Sequence, residues 1–215
     1  MKEYVKIPAP LNQNVQLKVV DGHFVTSHSH TTAFLDFTTM KTRCSEAHGV
    51  ATLLSMRYSV STPVDTIVCL DGTTVIGTYL AEELTRSGIL SYNAHRTIYV
   101  VAPEYINGGQ ILFRENLELA LRGKHVLLLV GAVTTGLTLK AAADCVSCYQ
   151  AKISGAAAIF STLEEVAGIP VAAAFHPADL PHYRYYRQED CPLCREGTPV
   201  DAIANSYGYS RLQRS

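Results

Sequence analysis

The chain has 215 residues, of which 47% are hydrophobic and 17% charged, and its formal net charge is −1 at pH 7. This length and composition predict one globular domain with a substantial core, and the near-neutral charge argues against a nucleic-acid partner or an anionic membrane surface. No apolar stretch is long enough for a signal peptide or a membrane span. We therefore expect a soluble, cytoplasmic protein whose six cysteines serve as thiols or metal ligands rather than in disulfides.

Hydrophobic periodicity predicts two strands near the start of the chain, followed by alternating strands and helices. In chain order the predicted elements are strands 13–25 and 33–37, helix 46–58, strand 65–70, helix 75–86, strand 97–102, helix 116–121, strand 125–130, helix 139–152, strand 155–160, helix 162–166 and strand 170–175. Apolar strands separated by helices indicate an α/β fold with a central, mostly parallel sheet and helices on both faces. Ligands of such sheets bind at the carboxyl ends of the strands.

The most informative segment lies at one of these carboxyl ends. An apolar strand ends in Thr134-Thr135-Gly136, which Leu137 and Thr138 follow, and a helical pattern begins at Leu139. Backbone N–H groups at a helix N-terminus and nearby hydroxyl groups both favour an anion. These five residues are therefore predicted to bind a phosphate group.

A second loop of this kind, Asp71-Gly72-Thr73-Thr74, follows the strand at 65–70 and precedes a helix. Asp-Gly is a common turn pair, so a simple turn is the favoured interpretation of this loop when it is taken alone. The carboxyl ends of parallel strands share one sheet edge, however, and the order of the two loops favours a second anion site there.

These segments resemble those of type I phosphoribosyltransferases, and most of all orotate phosphoribosyltransferase-like proteins. In that family the Thr-Thr-Gly loop holds a ribose 5′-phosphate, and the loop matching residues 71–74 receives pyrophosphate. The stretch from Phe24 to Asp36 is similar to the segment that caps the base pocket. Near the other end of the chain, Cys191-Pro192-Leu193-Cys194 resembles a C-terminal segment of some orotate phosphoribosyltransferase-like proteins.

The resemblance runs over about residues 15–200 and implies a single domain, 1–215. Residues 13–40 and 176–215 would form a small hood over the sheet. The expected ligand is phosphoribosyl pyrophosphate or another phosphorylated small molecule containing ribose 5-phosphate, with Mg²⁺ if phosphoribosyl pyrophosphate is bound. The family also implies a homodimer.

The sequence departs from the family pattern at three places. Two acidic residues normally precede the Thr-Thr-Gly loop and hold the ribose diol and magnesium, but here those positions are Val130 and Gly131. The segment 102–113, where the family carries basic residues for the leaving group, has no positive charge before Arg114. The Asp-Arg pair that orotate enzymes carry after the next strand is replaced by Ser161-Thr162-Leu163-Glu164.

Two functional hypotheses follow from these departures. In the first, the protein is a divergent phosphoribosyltransferase acting on orotate or another nucleobase, in which Asp71 or Asp144 replaces the missing acidic contacts. In the second, the protein is a non-catalytic binder of a nucleotide or phosphoribosyl pyrophosphate with a regulatory or structural role. Losing one charged contact to a transition state costs roughly two to three decades in rate, which weighs against efficient transfer.

Two Cys-x-x-Cys pairs, Cys145-Val146-Ser147-Cys148 and Cys191-Pro192-Leu193-Cys194, suggest a four-cysteine zinc site. The gap between the pairs is longer than usual for a zinc ribbon, and the first pair lies within a predicted helix. Packing is therefore the favoured role of these thiols, with zinc binding or redox chemistry as alternatives. His28 and His30 would share one face of a strand, as metal ligands can, but no third ligand is evident in the sequence.

Overall fold

The computed structural model describes residues 4–86, 92–94, 97–106 and 110–212. The first part of the chain forms β1 (Val5–Ala9), β2 (Asn12–Val25), β3 (His30–Asp36), α1 (Thr38–Thr42), α2 (Cys44–Ser55), β4 (Thr66–Cys69) and α3 (Thr74–Arg86). The middle part forms β5 (Tyr99–Val101), β6 (Glu104–Ile106), β7 (Gln110–Leu112), a 3₁₀ helix (Glu115–Ala120), β8 (His125–Val133), α4 (Leu137–Cys148), β9 (Lys152–Ser161), β10 (Glu165–Val166) and β11 (Ile169–Phe175). The last part forms β12 (Tyr185–Tyr186), α5 (Pro192–Arg195), β13 (Ala202–Asn205) and β14 (Gly208–Arg211), with short 3₁₀ helices at Pro177–Asp179 and Gln188–Asp190.

The central sheet has the strand order β10-β11-β9-β8-β4-β5, and every pairing except that of β10 with β11 is parallel. Its middle strands are buried on both faces, which is why they are almost continuously apolar. In β8, Leu127 and Leu129 pack into the core with α2 and α3, whereas Val126 and Leu128 pack with α4 on the other face. The predicted mostly parallel sheet with helices on both faces is thereby confirmed.

A second sheet joins the two ends of the chain and lies over the first. Its order is β12-β3-β2-β13-β14, with β1 paired to β2. The C-terminal strand β13 runs parallel to β2, and Phe24 of β2 packs against Ala202 and Ala204 of β13. We call this sheet the hood.

Two predicted helices differ from the structure. The segment predicted at 116–121 forms a 3₁₀ helix rather than an α-helix. The helix predicted at 162–166 is wrong, because Glu165–Val166 forms β10 in a tight hairpin with β11. Its two-residue turn uses positive φ at Ala167 (50°) and Gly168 (82°), the backbone that such turns require. None of the helices in the described ranges is both long enough and apolar enough to cross a membrane.

Candidate functional site

A cavity of about 260 Å³ lies between the carboxyl edge of the central sheet and the hood. This volume is just below the range of roughly 300–1,000 Å³ that is common for small-molecule sites. The central sheet contributes the loop from Val133 to Leu139 at its floor. The hood contributes the β2–β3 loop (26–29) and the β13–β14 turn (205–208). The cavity therefore suits a small metabolite held between the two sheets.

The floor of the cavity is the N-terminus of α4, which begins directly after Gly136. The first intrahelical bond runs from the N–H of Lys140 to the carbonyl of Gly136 at 2.9 Å, so the N–H groups of residues 137–139 lie ahead of the helical ladder. Gly136 offers no side-chain cap, and the one described side-chain contact at this end is long, from the N–H of Leu137 to Thr135 Oγ1 at 3.5 Å. The five residues predicted to bind phosphate, 134–138, all line the cavity. They present N–H donors and the positive end of a helix dipole to whatever occupies it.

Position 136 requires glycine for two reasons: its backbone conformation and the lack of room for a Cβ atom. Its φ of +77° lies in the left-handed region, and a Cβ there would lie 3.0 Å from both γ-methyl carbons of Val166. The hairpin that replaces the predicted helix therefore packs directly behind the loop. Thr162 braces the same loop, because its hydroxyl donates to the carbonyl of Thr134 at 3.0 Å.

The second predicted loop reaches the cavity through one residue. Asp71 lines the cavity, whereas Gly72, Thr73 and Thr74 are not among the described lining residues. The buried hydroxyl of Thr73 instead donates to the carbonyls of Leu70 and Leu129, at 2.7 and 3.1 Å. This hydroxyl joins the loop to the sheet.

Lys41 is a site residue that the sequence analysis missed. It is only 7% exposed, and its ammonium group donates to the backbone carbonyls of Asp71 at 2.7 Å and Ser206 at 2.8 Å. A Cβ at Gly131 would lie 3.1 Å from Lys41 Nζ, so the absence of a side chain at position 131 makes room for the lysine. A glycine inside an apolar strand often marks a site where another group approaches the backbone closely. Gly131 was therefore the one indication in the sequence that a side chain enters here.

The Asp71 carboxylate and the Lys41 ammonium form a partly desolvated pair of opposite charges. Burial raises the pKa of Asp71, while Lys41, the Ser206 side chain and the Gly131 backbone oppose that rise. Burial lowers the pKa of Lys41, opposed by the charges of Asp71 and Asp36. The two shifts have the same cause, and each charge partly stabilises the other.

The β6–β7 hairpin lies beside this pair and carries no cation toward it among its described residues. Arg114, the first basic residue after the hairpin, forms an ion pair with Glu104 at 2.7 Å. Burial together with the charge of Asp71 raises the pKa of Tyr105 to about 12. The hairpin therefore places a neutral phenol near Asp71 but outside the described lining of the cavity.

The remaining candidate replacements for the acidic pair lie elsewhere. Val130 is fully buried in the core, and Gly131 has no side chain to offer. Asp144 is exposed in the middle of α4, outside the described lining of the cavity. Among the described residues around the cavity, Asp71 is the only acidic one.

The cysteine pairs are separated in the fold. The thiol of Cys145 donates to the carbonyl of Ile111 and that of Cys148 to the carbonyl of Asp144. Cys191 and Cys194 instead meet His23 and His30 of the hood, the only group of three or more potential metal ligands in the described parts of the chain. The four-cysteine combination considered from the sequence is therefore not assembled. His28 does not belong to the group and lines the cavity instead.

Comparison with solved structures finds the same architecture in several phosphoribosyltransferases. UMP synthase of Leishmania donovani is 14% identical with a TM-score of 0.54, over 84% of this chain and only 36% of the UMP synthase chain. Orotate phosphoribosyltransferase of Mycobacterium tuberculosis is 19% identical with a TM-score of 0.51, over 76% of this chain and 92% of that enzyme. Orotate phosphoribosyltransferase of Aeropyrum pernix is 15% identical with a TM-score of 0.53, over 76% and 90% of the two chains.

No protein-family model and no curated protein matches the sequence significantly. At identities this low the structural similarity establishes the fold and leaves the substrate open. The chain therefore has a type I phosphoribosyltransferase-like fold, as its sequence motifs predicted.

Proposed function

We propose that this protein binds a small molecule carrying a ribose 5-phosphate group in the cavity beneath the hood. The observation that carries this proposal is the N-terminus of α4, where the N–H groups of residues 137–139 precede the helical ladder beside the cavity and only that of Leu137 has a long side-chain contact, to Thr135 Oγ1 at 3.5 Å. A phosphate placed there would accept several of these N–H bonds and interact favourably with the helix dipole. The hydroxyls of Thr134, Thr135 and Thr138 would add further donors.

The charge distribution supports an anionic ligand bound without a metal of the protein's own. Among the described residues, the Lys41 ammonium group donates two of its three N–H bonds to backbone carbonyls. The third N–H is left for a ligand oxygen. The positions that hold the ribose diol and magnesium in the family, Val130 and Gly131, offer no side-chain oxygen. Asp71 already interacts with Lys41, Ser206 and the Gly131 backbone. These residues do not fit Mg²⁺, because a second cation beside Lys41 would be repelled.

A second candidate function is phosphoribosyl transfer, supported by the similar transferase structures and by the Asp71 carboxylate at the cavity wall. The reaction displaces pyrophosphate from C1 of the ribose and needs stabilisation of the developing positive charge on the sugar. Here the one carboxylate among the described lining residues, that of Asp71, is engaged, and the hairpin supplies no cation for the leaving group among its described residues. We therefore favour binding over efficient transfer.

The decisive experiment is a calorimetric titration with ribose 5-phosphate and with phosphoribosyl pyrophosphate, each with and without Mg²⁺. We call residues 134–138 the phosphate cradle. If ligands bind through this cradle alone, ribose 5-phosphate and phosphoribosyl pyrophosphate should have similar affinities, and magnesium should have little effect. The Lys41→Met variant keeps the length of the side chain but removes its charge. We expect it to bind ribose 5-phosphate roughly tenfold to a hundredfold more weakly, the value of a hydrogen bond from a charged donor.

The two candidate functions give opposite results in this titration. Tight, magnesium-dependent binding of phosphoribosyl pyrophosphate alone would favour transfer. A screen for pyrophosphate release with orotate, adenine and other bases would then be warranted, with Asp71→Asn expected to abolish the release. If the protein bound neither compound, the proposed ligand class would be wrong.

A further inference from the structure

Four potential metal ligands meet in the hood, and none of them is among the described residues that line the cavity. They are the imidazoles of His23 on β2 and His30 on β3, and the thiols of Cys191 and Cys194 at the two ends of the α5 turn. One ligand atom from each side chain lies within 4.8 Å of all the others. The ligand-binding cavity and its chemistry do not use any of these four groups.

The nitrogen–sulfur distances within the group are close to those expected around a tetrahedral zinc ion. With Zn–S near 2.3 Å and Zn–N near 2.05 Å, tetrahedral angles place nitrogen and sulfur ligands about 3.6 Å apart. His23 Nε2 lies 3.6 Å from Cys191 Sγ and 3.7 Å from Cys194 Sγ. His30 Nδ1 lies 3.3 Å from Cys194 Sγ and 3.0 Å from His23 Nε2. The side chains thus already enclose a space of the size of one metal ion.

A backbone contact orients one imidazole toward this space. Nδ1 of His23 lies 3.0 Å from the carbonyl oxygen of Thr198. A carbonyl can only accept, so Nδ1 carries the proton and Nε2 presents its lone pair to the other three ligands. Metal-binding histidines usually have such a second partner, which holds the ring and selects the tautomer.

The backbone around the group is held independently of any metal. The N–H of His23 donates to the carboxylate of Asp201 at 3.0 Å, and the N–H of Asp201 donates to the carbonyl of His23 at 2.8 Å. The turn that carries the thiols is closed by a bond from the N–H of Arg195 to the carbonyl of Cys191 at 3.2 Å. His23, His30 and Cys191 are buried, and Cys194 lies at the surface.

We propose that His23, His30, Cys191 and Cys194 bind one structural zinc ion that joins the N-terminal strands of the hood to the C-terminal segment. Two thiolates and two imidazoles in a tetrahedral arrangement are a donor set that zinc prefers. All four positions are filled by protein, which is the mark of a structural rather than a catalytic site. The thiolates form when the two cysteines release their protons on binding zinc.

The zinc would also shape the ligand cavity, a consequence that rests on the proposed function. The β2–β3 loop, whose residues 26–29 line the cavity, connects the two histidine ligands. The cysteine ligands precede β13 and the turn that supplies Ser206 to Lys41. A metal that holds these two segments together would keep both walls of the cavity in place.

Metal analysis of the purified full-length chain, together with three variants, tests the site directly. We expect about one zinc per chain in the wild type, because four protein ligands complete a single tetrahedral ion. Cys194→Ser and His30→Gln should each lose most of this zinc. Cys148→Ser, which changes an exposed cysteine of the other pair, should retain all of it. A wild-type protein without stoichiometric metal, or equal loss in Cys148→Ser, would overturn the proposal.

A measurement on the wild type covers the case in which the variants fail to fold. Cys44, Cys148 and Cys194 are all exposed, so a thiol reagent can reach each of them, and the informative quantity is the change in each labelling rate when a chelator is added. The proposal predicts that Cys194 is protected until a chelator removes zinc, whereas the labelling rates of Cys44 and Cys148 stay unchanged. A labelling rate of Cys194 that the chelator does not change either would refute the site.

Titration of ribose 5-phosphate into chelated and zinc-restored protein separates this inference from the proposed function. Zinc present at one per chain supports the metal site whatever the ligand result. A weaker affinity after chelation, restored by zinc alone, supports the coupling to the cavity. An unchanged affinity would refute the coupling without affecting the metal site.

Discussion

The glycine at the start of α4 offers a sharp test of the cradle, because the chain contains a matched control. Gly136 and Gly168 both have left-handed backbone, with φ of +77° and +82°. A Cβ at Gly136 would lie 3.0 Å from both γ-methyl carbons of Val166, whereas a Cβ at Gly168 would meet no atom within 4 Å. Substituting alanine at each position therefore separates backbone strain from steric overlap.

Alanine in the left-handed region costs about 1–2 kcal/mol, and this cost applies to both variants. Overpacking a filled site adds about 1–3 kcal/mol, and this addition applies to Gly136→Ala alone. We therefore expect the free energy of unfolding to fall by about 1–2 kcal/mol in Gly168→Ala and by about 2–5 kcal/mol in Gly136→Ala. Urea denaturation of the two variants and the wild type measures both losses.

The same pair of variants tests ligand binding. Relief of the overlap requires the loop to move by a few tenths of an ångström, which misaligns the N–H groups at the cradle. We expect Gly136→Ala to bind ribose 5-phosphate at least tenfold more weakly, about 1.4 kcal/mol, and Gly168→Ala to bind as the wild type does. Equal losses of stability in the two variants would refute the packing argument. If Gly136→Ala bound ribose 5-phosphate with wild-type affinity, the phosphate group would not bind at this loop.

Three further predictions concern other parts of the fold. Gly131→Ala should overlap Lys41 Nζ and Cε and cost about 1–3 kcal/mol of stability, and a double-mutant cycle with Lys41→Ala, which removes both atoms, should recover part of this loss. Asp65 is partly buried, which raises its pKa, but hydrogen bonds from the backbone and ring of His125 outweigh that effect and lower it. Urea titrations should give the wild type a free energy of unfolding about 1–2 kcal/mol higher than that of Asp65→Asn at neutral pH. This difference should disappear as the pH falls below 3.8 through the lowered pKa of Asp65, because protonation removes the carboxylate that the native state stabilises. Tyr58→Phe should cost about 1–2 kcal/mol in thermal unfolding, because it leaves a buried carbonyl of β9 without its donor at 2.6 Å.

Local patterns in the sequence determined the parallel sheet and the loop that we propose binds phosphate. The strands are apolar on both faces because helices cover both faces of the sheet. Each strand is therefore visible in the sequence as a continuous apolar run. The Thr134–Thr138 loop is likewise contiguous, so its turn, its hydroxyls and the helix start could be recognised together. The segment at 162–166 was assigned wrongly because its helical pattern is short and pairing with β11 at the sheet edge outweighs it.

The chemistry around the cavity was decided by tertiary structure. Lys41 enters the site only because the chain folds α1 against the strand that carries Gly131, and a lysine among threonines gives no sign of this. His23 and His30 meet Cys191 and Cys194 because β13 pairs with β2 and so brings the two ends of the chain together. Sequence spacing reports which side chains share one element, whereas contacts between distant segments depend on strand order. That is why the sequence predicted the cradle but not the groups that surround it.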